Sequence, residues 1–201
     1  MAEITAALVK ELREKSGAGM MDCKKALAAT DGDKEKAMDE LRKQGLASAQ
    51  KRSSRATKEG AIDSYIHAGG KIGVLIEVGV ETDFVARSDP FKEFTHDLAM
   101  HVAAASPRWI TRDEVPAEVV EREKAIYAEQ VKGKPENVLE KIVTGKLEKF
   151  FAETCLMEQS FIKDPDRTIE QLRTDLVGLI GENVEVRRFA RYQLGETAEQ
   201  G

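Results

Sequence analysis

Apolar positions along this chain change their period twice. Ile4, Leu8 and Leu12 recur every four residues, which marks one face of a helix. Ser16-Gly17-Ala18-Gly19 stops that helix, because glycine readily takes the left-handed cap. Met21, Ala26 and Leu27 predict a second helix that ends at Asp31-Gly32. Asp33 is a natural N-cap for a third, which carries Ala37, Met38 and Leu41 and is expected to close at Gly45. Residues 1–45 therefore read as a small three-helix domain. Residues 46–58 read as a basic linker and residues 59–201 as a second domain.

The second domain begins with a period of two. Residues 61–67 are strand-like, and Ala68-Gly69-Gly70 signals a hairpin turn. Ile72, Val74, Ile76, Val78 and Val80 then alternate without fault, so one face of this strand is core. The other face carries Lys71, Gly73, Leu75, Glu77 and Gly79, partly polar and small, as suits close approach by another element or a partner. Helices are expected after Ser88-Asp89-Pro90, after Val115-Pro116 and after Pro135. Residues 156–162 read as a strand closed by Asp164-Pro165, residues 168–180 as a helix capped by Gly181, and residues 184–194 as a last strand. A hairpin followed by irregular alternation of helices and strands predicts an α+β core with an antiparallel sheet.

Between the alternating strand and the first of these helices lies Glu81-Thr82-Asp83-Phe84-Val85-Ala86-Arg87. Thr82 can cap the turn, and Asp83 then sits favourably at its positive end. Burying a phenylalanine is worth roughly 1.5–3 kcal/mol. Phe84 is therefore either tucked inward or kept exposed for a partner, and the local pattern leans to the first. At the other corner of interest, Met20-Met21 follow two glycines where a loop enters a helix. Flexible thioethers there suit either core or an adaptable contact.

Composition narrows the classes. The chain has 201 residues, 41% hydrophobic and 33% charged, which fits a globular protein with solvated helical surfaces. Its apolar runs fall short of the ~20 residues that a membrane span needs, and the N-terminus lacks the apolar segment of a signal peptide. Only Cys23 and Cys155 are present, too few and too far apart for a disulfide framework or zinc site, so a reducing cytoplasm is expected. The net charge of −5 is uneven: residues 1–58 carry +4 and residues 59–201 carry −9. The basic excess gathers at Arg42, Lys43, Lys51, Arg52, Arg55 and Lys58. A solvated linker explains it, and an RNA- or ribosome-associated binding protein is the alternative.

No catalytic constellation emerges. His67, His96 and His101 lack the spacing and the cysteine partners of a metal site. Gly69-Gly70-Lys71 lacks the first glycine and the Ser/Thr of a phosphate loop. No nucleophile elbow appears, and the carboxylates spread over helix faces. The expectation is no enzyme, no metal and no cofactor.

Several blocks together resemble one family, elongation factor Ts. Leu12 to Leu27, with Ser16-Gly17-Ala18-Gly19-Met20-Met21-Asp22-Cys23-Lys24-Lys25 at its centre, is similar to the N-terminal signature of that family, and Glu81 to Ala86 to its second. Ser64-Tyr65-Ile66-His67, Glu158-Gln159-Ser160-Phe161 and Glu182-Asn183 through Arg187-Arg188-Phe189 resemble further blocks, in order along nearly the whole chain. One departure is Val78-Gly79-Val80, where members usually carry a polar, often Asn- and Cys-containing segment. The chain is shorter than the long family form, which has a duplicated core and a helical-hairpin insertion, and is similar to the short form.

The resemblance implies a ubiquitin-associated-like N-terminal domain, an antiparallel α+β core, and nucleotide exchange on the GTPase elongation factor Tu during translation elongation. It implies that Gly17, Gly19, Met20 and Met21 dock the partner. It also implies that Thr82, Asp83, Phe84 and Val85 reach the partner's magnesium and phosphate site. A homodimer that supplies the missing second half is implied as well. Neither a membrane nor direct nucleic acid binding is expected.

Overall fold

The computed structural model describes residues 4–133 and 135–196. Helices and antiparallel sheet are mixed, giving an α+β fold. Three helices come first: α1 Ala6–Ser16, α2 Met20–Ala29 and α3 Lys34–Arg52. The hairpin strands β1 Glu59–Ile66 and β2 Ile72–Val80 follow, then the one-turn α4 Asp83–Ala86 and the long α5 Asp89–Ala105. After these come α6 Ala117–Gln130, α7 Glu136–Thr154, the short pair β3 Ser160–Phe161 and β4 Asp164–Thr168, α8 Ile169–Ile180 and β5 Val184–Gln193. The main sheet has the order β1-β2-β5.

By its contacts the chain divides into two compact units. The first comprises the chain through Ile62 with Glu77–Thr95 and Gln171–Val186; the second comprises Asp63–Ile76, His96–Glu170 and the chain from Arg187 on.

In the first unit, α1, α2 and α3 bury Val9, Leu12, Cys23, Ala26, Leu27, Ala37 and Leu41 against one another. Thr5 caps α1 and Asp33 caps α3, each side chain accepting an amide N–H of the first turn. Helix α3 does not stop at Gly45 as expected but runs on to Arg52. An interior glycine costs about 1 kcal/mol relative to alanine. Here the good helix formers Leu46, Ala47 and Ala49 follow it, Ala49 is buried, and the backbone at Gly45 lies close to Thr174 of α8. The position expected to end the bundle thus falls inside a helix. Arg42, Lys43 and Lys51 are exposed on this helix and Arg52 is half-buried at its end; Lys51 and Arg52, expected on a linker, lie in its last turn and complement the helix dipole.

Strand β2 buries Val74, Ile76, Val78 and Val80 as its alternation predicts. At Gly60 a Cβ would lie 2.2 Å from the Val78 carbonyl oxygen, and φ there is +149°. Only glycine lets β1 cross β2 this closely.

In the second unit, α6 and α7 pack as a two-helix hairpin. Val115, Phe150 and Cys155 form its core with Trp109, Val119, Val120 and Phe151 around them. Arg112 ties this end together: its guanidinium lies over the Phe151 ring and bonds Glu148 and Glu158 at 3.0 and 2.6 Å. The strand expected over residues 156–162 is mostly not one. The Leu156 and Met157 amides donate to the Trp109 and Ile110 carbonyls, and Leu156–Glu158 winds into a short 3-10 turn. Only Ser160–Phe161 pairs, antiparallel to Asp164–Thr168, the segment expected to end the strand. Pro165 is tolerated in a two-stranded pair because the edge leaves its missing N–H unchallenged.

His101, fully buried on α5, anchors the same unit. The Gln159 side-chain nitrogen donates to the Glu153 carbonyl at 2.7 Å, so its oxygen accepts from His101 Nε2 at 2.9 Å. Nδ1 of His101 is buried with no hydrogen-bond partner among the described residues. Burial holds the imidazole below its ordinary value of 6.5, although the bond to Gln159 works the other way. Protonation would place an unpaired N–H in the interior. A lowered folded-state value means that, below the unfolded value, the unfolded chain takes up a proton that the folded chain resists. Stability is then full above about pH 6.5 and falls as the pH drops toward the folded value. Urea unfolding at pH 7.5 and 5.5 should show a loss of up to about 1.4 kcal/mol from this residue. The non-titrating variant His101→Gln, less stable overall, should lack that part of the slope. Equal slopes would remove His101 as its source.

Candidate functional site

The sequence-predicted tip lies in the first unit, where β2 ends and turns. Thr82 has extended backbone, φ −129° and ψ 153°, and α4 starts immediately after it. Its Oγ1 accepts the Val85 N–H at 3.4 Å, and the Ala86 and Arg87 amides close the turn on the Thr82 and Asp83 carbonyls. Ser88 then donates to the Val85 carbonyl through its amide and its hydroxyl. A single turn closed at both ends is short but well defined.

The two apolar residues of this turn point opposite ways. Val85 is buried at 7% exposure, whereas Phe84 is 78% exposed. The local lean toward an inward Phe84 is therefore overturned. The Val85 side chain anchors the turn from beneath. Leaving Phe84 in water forgoes the roughly 1.5–3 kcal/mol that burial would give.

Asp83 is exposed and bonds Arg87 one turn later at 2.6 Å. Such a solvated pair is worth less than about 1 kcal/mol, so either group can exchange its partner at little cost.

A brace from far along the chain holds the turn. Glu182 accepts both donors of Thr82, the amide at 3.0 Å through Oε2 and the hydroxyl at 2.7 Å through Oε1. The hydroxyl hydrogen is thereby committed to Glu182, which leaves an oxygen lone pair for the Val85 amide. Glu81 accepts the Asn183 amide at 2.7 Å and the Arg55 guanidinium at 3.4 Å. The buried Asn183 side chain donates to the carbonyls of Ser53 and Arg55 at 3.3 and 2.9 Å. In the sequence, Glu182 and Asn183 stand out only as part of a matching block. Two polar residues after a glycine carry no local sign of this role.

The second predicted set lies on the α1–α2 corner of the same unit. Gly17 is left-handed at φ +68°, and its amide closes on the Arg13 carbonyl at 2.9 Å. Gly19 is the N-cap of α2, accepting the Asp22 and Cys23 amides through its carbonyl. Cys23 is buried beneath, 3.7 Å from the Ala18 carbonyl oxygen. This geometry leaves Met20 48% and Met21 62% exposed on the first turn of α2.

No group of three or more His, Cys, Asp or Glu among the described residues is placed to hold a metal ion. No described helix is long and apolar enough to cross a membrane.

The model of the family Elongation factor TS matches residues 6–196. The chain belongs to the elongation factor Ts family. Elongation factor Ts of Geobacter sulfurreducens is 61% identical over 199 residues, covering 98% of this chain and 92% of the relative. Elongation factor Ts of Fervidobacterium nodosum is 59% identical over 196 residues, covering 96% of this chain and all of the relative. Family membership implies nucleotide exchange on elongation factor Tu in translation elongation.

The opposed burial of neighbours at the tip has a direct consequence for stability. Phe84→Ala should change unfolding free energy by no more than about 0.5 kcal/mol, as for surface sites without special contacts. Val85→Ala should cost about 1–3 kcal/mol through the lost burial and the cavity. Denaturant titration of both variants checks the contrast.

Proposed function

We propose that this chain works in the cytoplasm by gripping elongation factor Tu at two places and loosening its magnesium and phosphate site. Thr82–Phe84 is the working tip and the Met20–Met21 corner is a docking point. The observation that carries the reading is the 78% exposed Phe84 on a turn braced by hydrogen bonds on both sides. A large apolar ring held out in water by a well-made turn is already arranged for an apolar gap in a partner.

The reading needs binding rather than covalent chemistry. A nucleotide held at nanomolar affinity is bound by about 12 kcal/mol. With an on-rate near ~10⁶ M⁻¹s⁻¹ it escapes at only ~10⁻³ s⁻¹. Lowering the release barrier by ~4 kcal/mol speeds escape roughly a thousandfold. Phe84 would enter between helices of the GTPase and displace groups that support Mg²⁺. Magnesium neutralises the phosphates, so loosening it removes a large attraction. Asp83, released from Arg87 at small cost, would draw cationic or polar groups of that site toward itself.

Coupling between nucleotide and factor is reciprocal: whatever the factor takes from nucleotide affinity, nucleotide takes from factor affinity. Incoming GTP therefore ejects the factor, and the cycle closes without any consumed group on this chain.

Dissociation of labelled GDP from elongation factor Tu, followed against concentration of this chain, tests both contacts. Phe84→Ala should lower the saturating release rate at least roughly tenfold, about 1.4 kcal/mol in barrier. Stimulation equal to wild type would end the wedge role. Replacing Met20 and Met21 together by Ser should instead raise the half-saturating concentration several-fold while the saturating rate stays near wild type. An unchanged half-saturating concentration would take the α1–α2 corner out of the interface.

A further inference from the structure

We infer that Glu182 is the positioning residue of the exchange tip, with Asn183 joining the same brace to the chain that leaves the N-terminal helices. The inference rests on the proposed wedge role of Phe84.

The argument starts from what α4 lacks. Four residues make too short a helix to persist on its own, because nucleation consumes more backbone freedom than one turn returns. Val85 is its buried apolar anchor. That anchor sets depth but leaves the turn free to rotate about it, which would swing the adjacent Phe84 ring. Rotation is blocked only if the cap residue is held as well. Glu182 supplies this second point by taking the amide and the hydroxyl of Thr82 at 3.0 and 2.7 Å. A carboxylate receiving two donors from one residue fixes orientation as well as distance.

Glu182 is itself placed by its neighbours. Helix α8 ends at Gly181, which is left-handed at φ +77° and donates to the Val177 carbonyl at 3.0 Å. Arg173 on α8 donates to the Val184 carbonyl at 3.0 Å, which fixes the chain on the far side. Asn183, between them, gives its amide to Glu81 and its side chain to Ser53 and Arg55. Residues 81–82, 182–183 and 53–55 therefore form one hydrogen-bonded knot. The exit of α3 and the start of α4 are tied to the same two residues. Through that knot the docking helices and the tip are presented together, so neither has to be ordered when the partner arrives.

The test is a double-mutant cycle on GDP release. Four proteins are compared on elongation factor Tu: wild type, Phe84→Ala, Glu182→Ala and the double variant. A residue that acts by aiming Phe84 has nothing left to aim once the ring is gone. Glu182→Ala should lower the saturating release rate about tenfold, with the half-saturating concentration within about threefold of wild type. The double variant should be no slower than Phe84→Ala alone. Glu182→Gln, which keeps an oxygen for the Thr82 amide, should recover part of the rate and guards against misfolding of the alanine variant. Thermal unfolding of all five proteins checks that the fold persists.

If Phe84→Ala is slow but both Glu182 variants match wild type, the positioning role fails and the wedge stands. If the two losses multiply in the double variant, Glu182 acts independently of the ring and the inference is overturned. If Phe84→Ala matches wild type, the wedge reading falls and this inference with it.

Discussion

The carboxylate of Glu182 and the two donors of Thr82 make the contact on which the turn at the end of β2 depends. Strand β2 delivers Thr82 to the rim of the sheet, and helix α8 delivers Glu182 there a hundred residues later. The bond between them turns an isolated helical turn into a fixed bracket. Val85 fills the inner side of the bracket, and Phe84 is held on the outer side by the same geometry. Exposure of Phe84 is thus a structural consequence of good packing next to it, rather than a packing fault.

Glycine appears where this arrangement needs close approach or a reversed backbone. Gly60 lets β1 lie against the β2 backbone, Gly181 turns the chain from α8 toward the tip, and Gly17 reverses it between α1 and α2. Each precedes a defined feature: the rest of strand β1, the Glu182–Asn183 brace, and the exposed Met20–Met21 pair. Phe84 and the Met20–Met21 pair, two of the exposed apolar features of the first unit, are both presented this way. A sharp backbone turn fixes their direction, and a buried neighbour, Val85 or Cys23, fixes their depth.

Much of the fold was legible in the chain. The faultless alternation of β2, the caps Asp33 and Thr82, and the helix starts near Pro90, Pro116 and Pro135 all reflect local rules that hold regardless of context. Where local rules met tertiary packing, they yielded. Gly45 is a legible stop signal, yet α3 continues because Ala49 finds a buried place and α8 comes close to the glycine. Residues 156–162 look like a strand, yet two of their amides are taken by the carbonyls of Trp109 and Ile110, and the rest pair over only two residues. The matching family blocks marked the candidate site, but Glu182 and Asn183 carried no local sign of what they hold.

The tip divides the two kinds of information most clearly. The chain by itself determined that a strand ends at Val80, that Thr82 caps a turn, and that a charged and an aromatic residue follow it. These depend on side chains within three or four positions of one another. Which way the ring faces was not decided there, because one helical turn has too few positions to define an apolar face. Only the tertiary structure settled it. Val85 took the space beneath the turn, Phe84 was left in solvent, and Glu182, unreadable as a neighbour from a hundred residues away, holds the Thr82 that caps the turn.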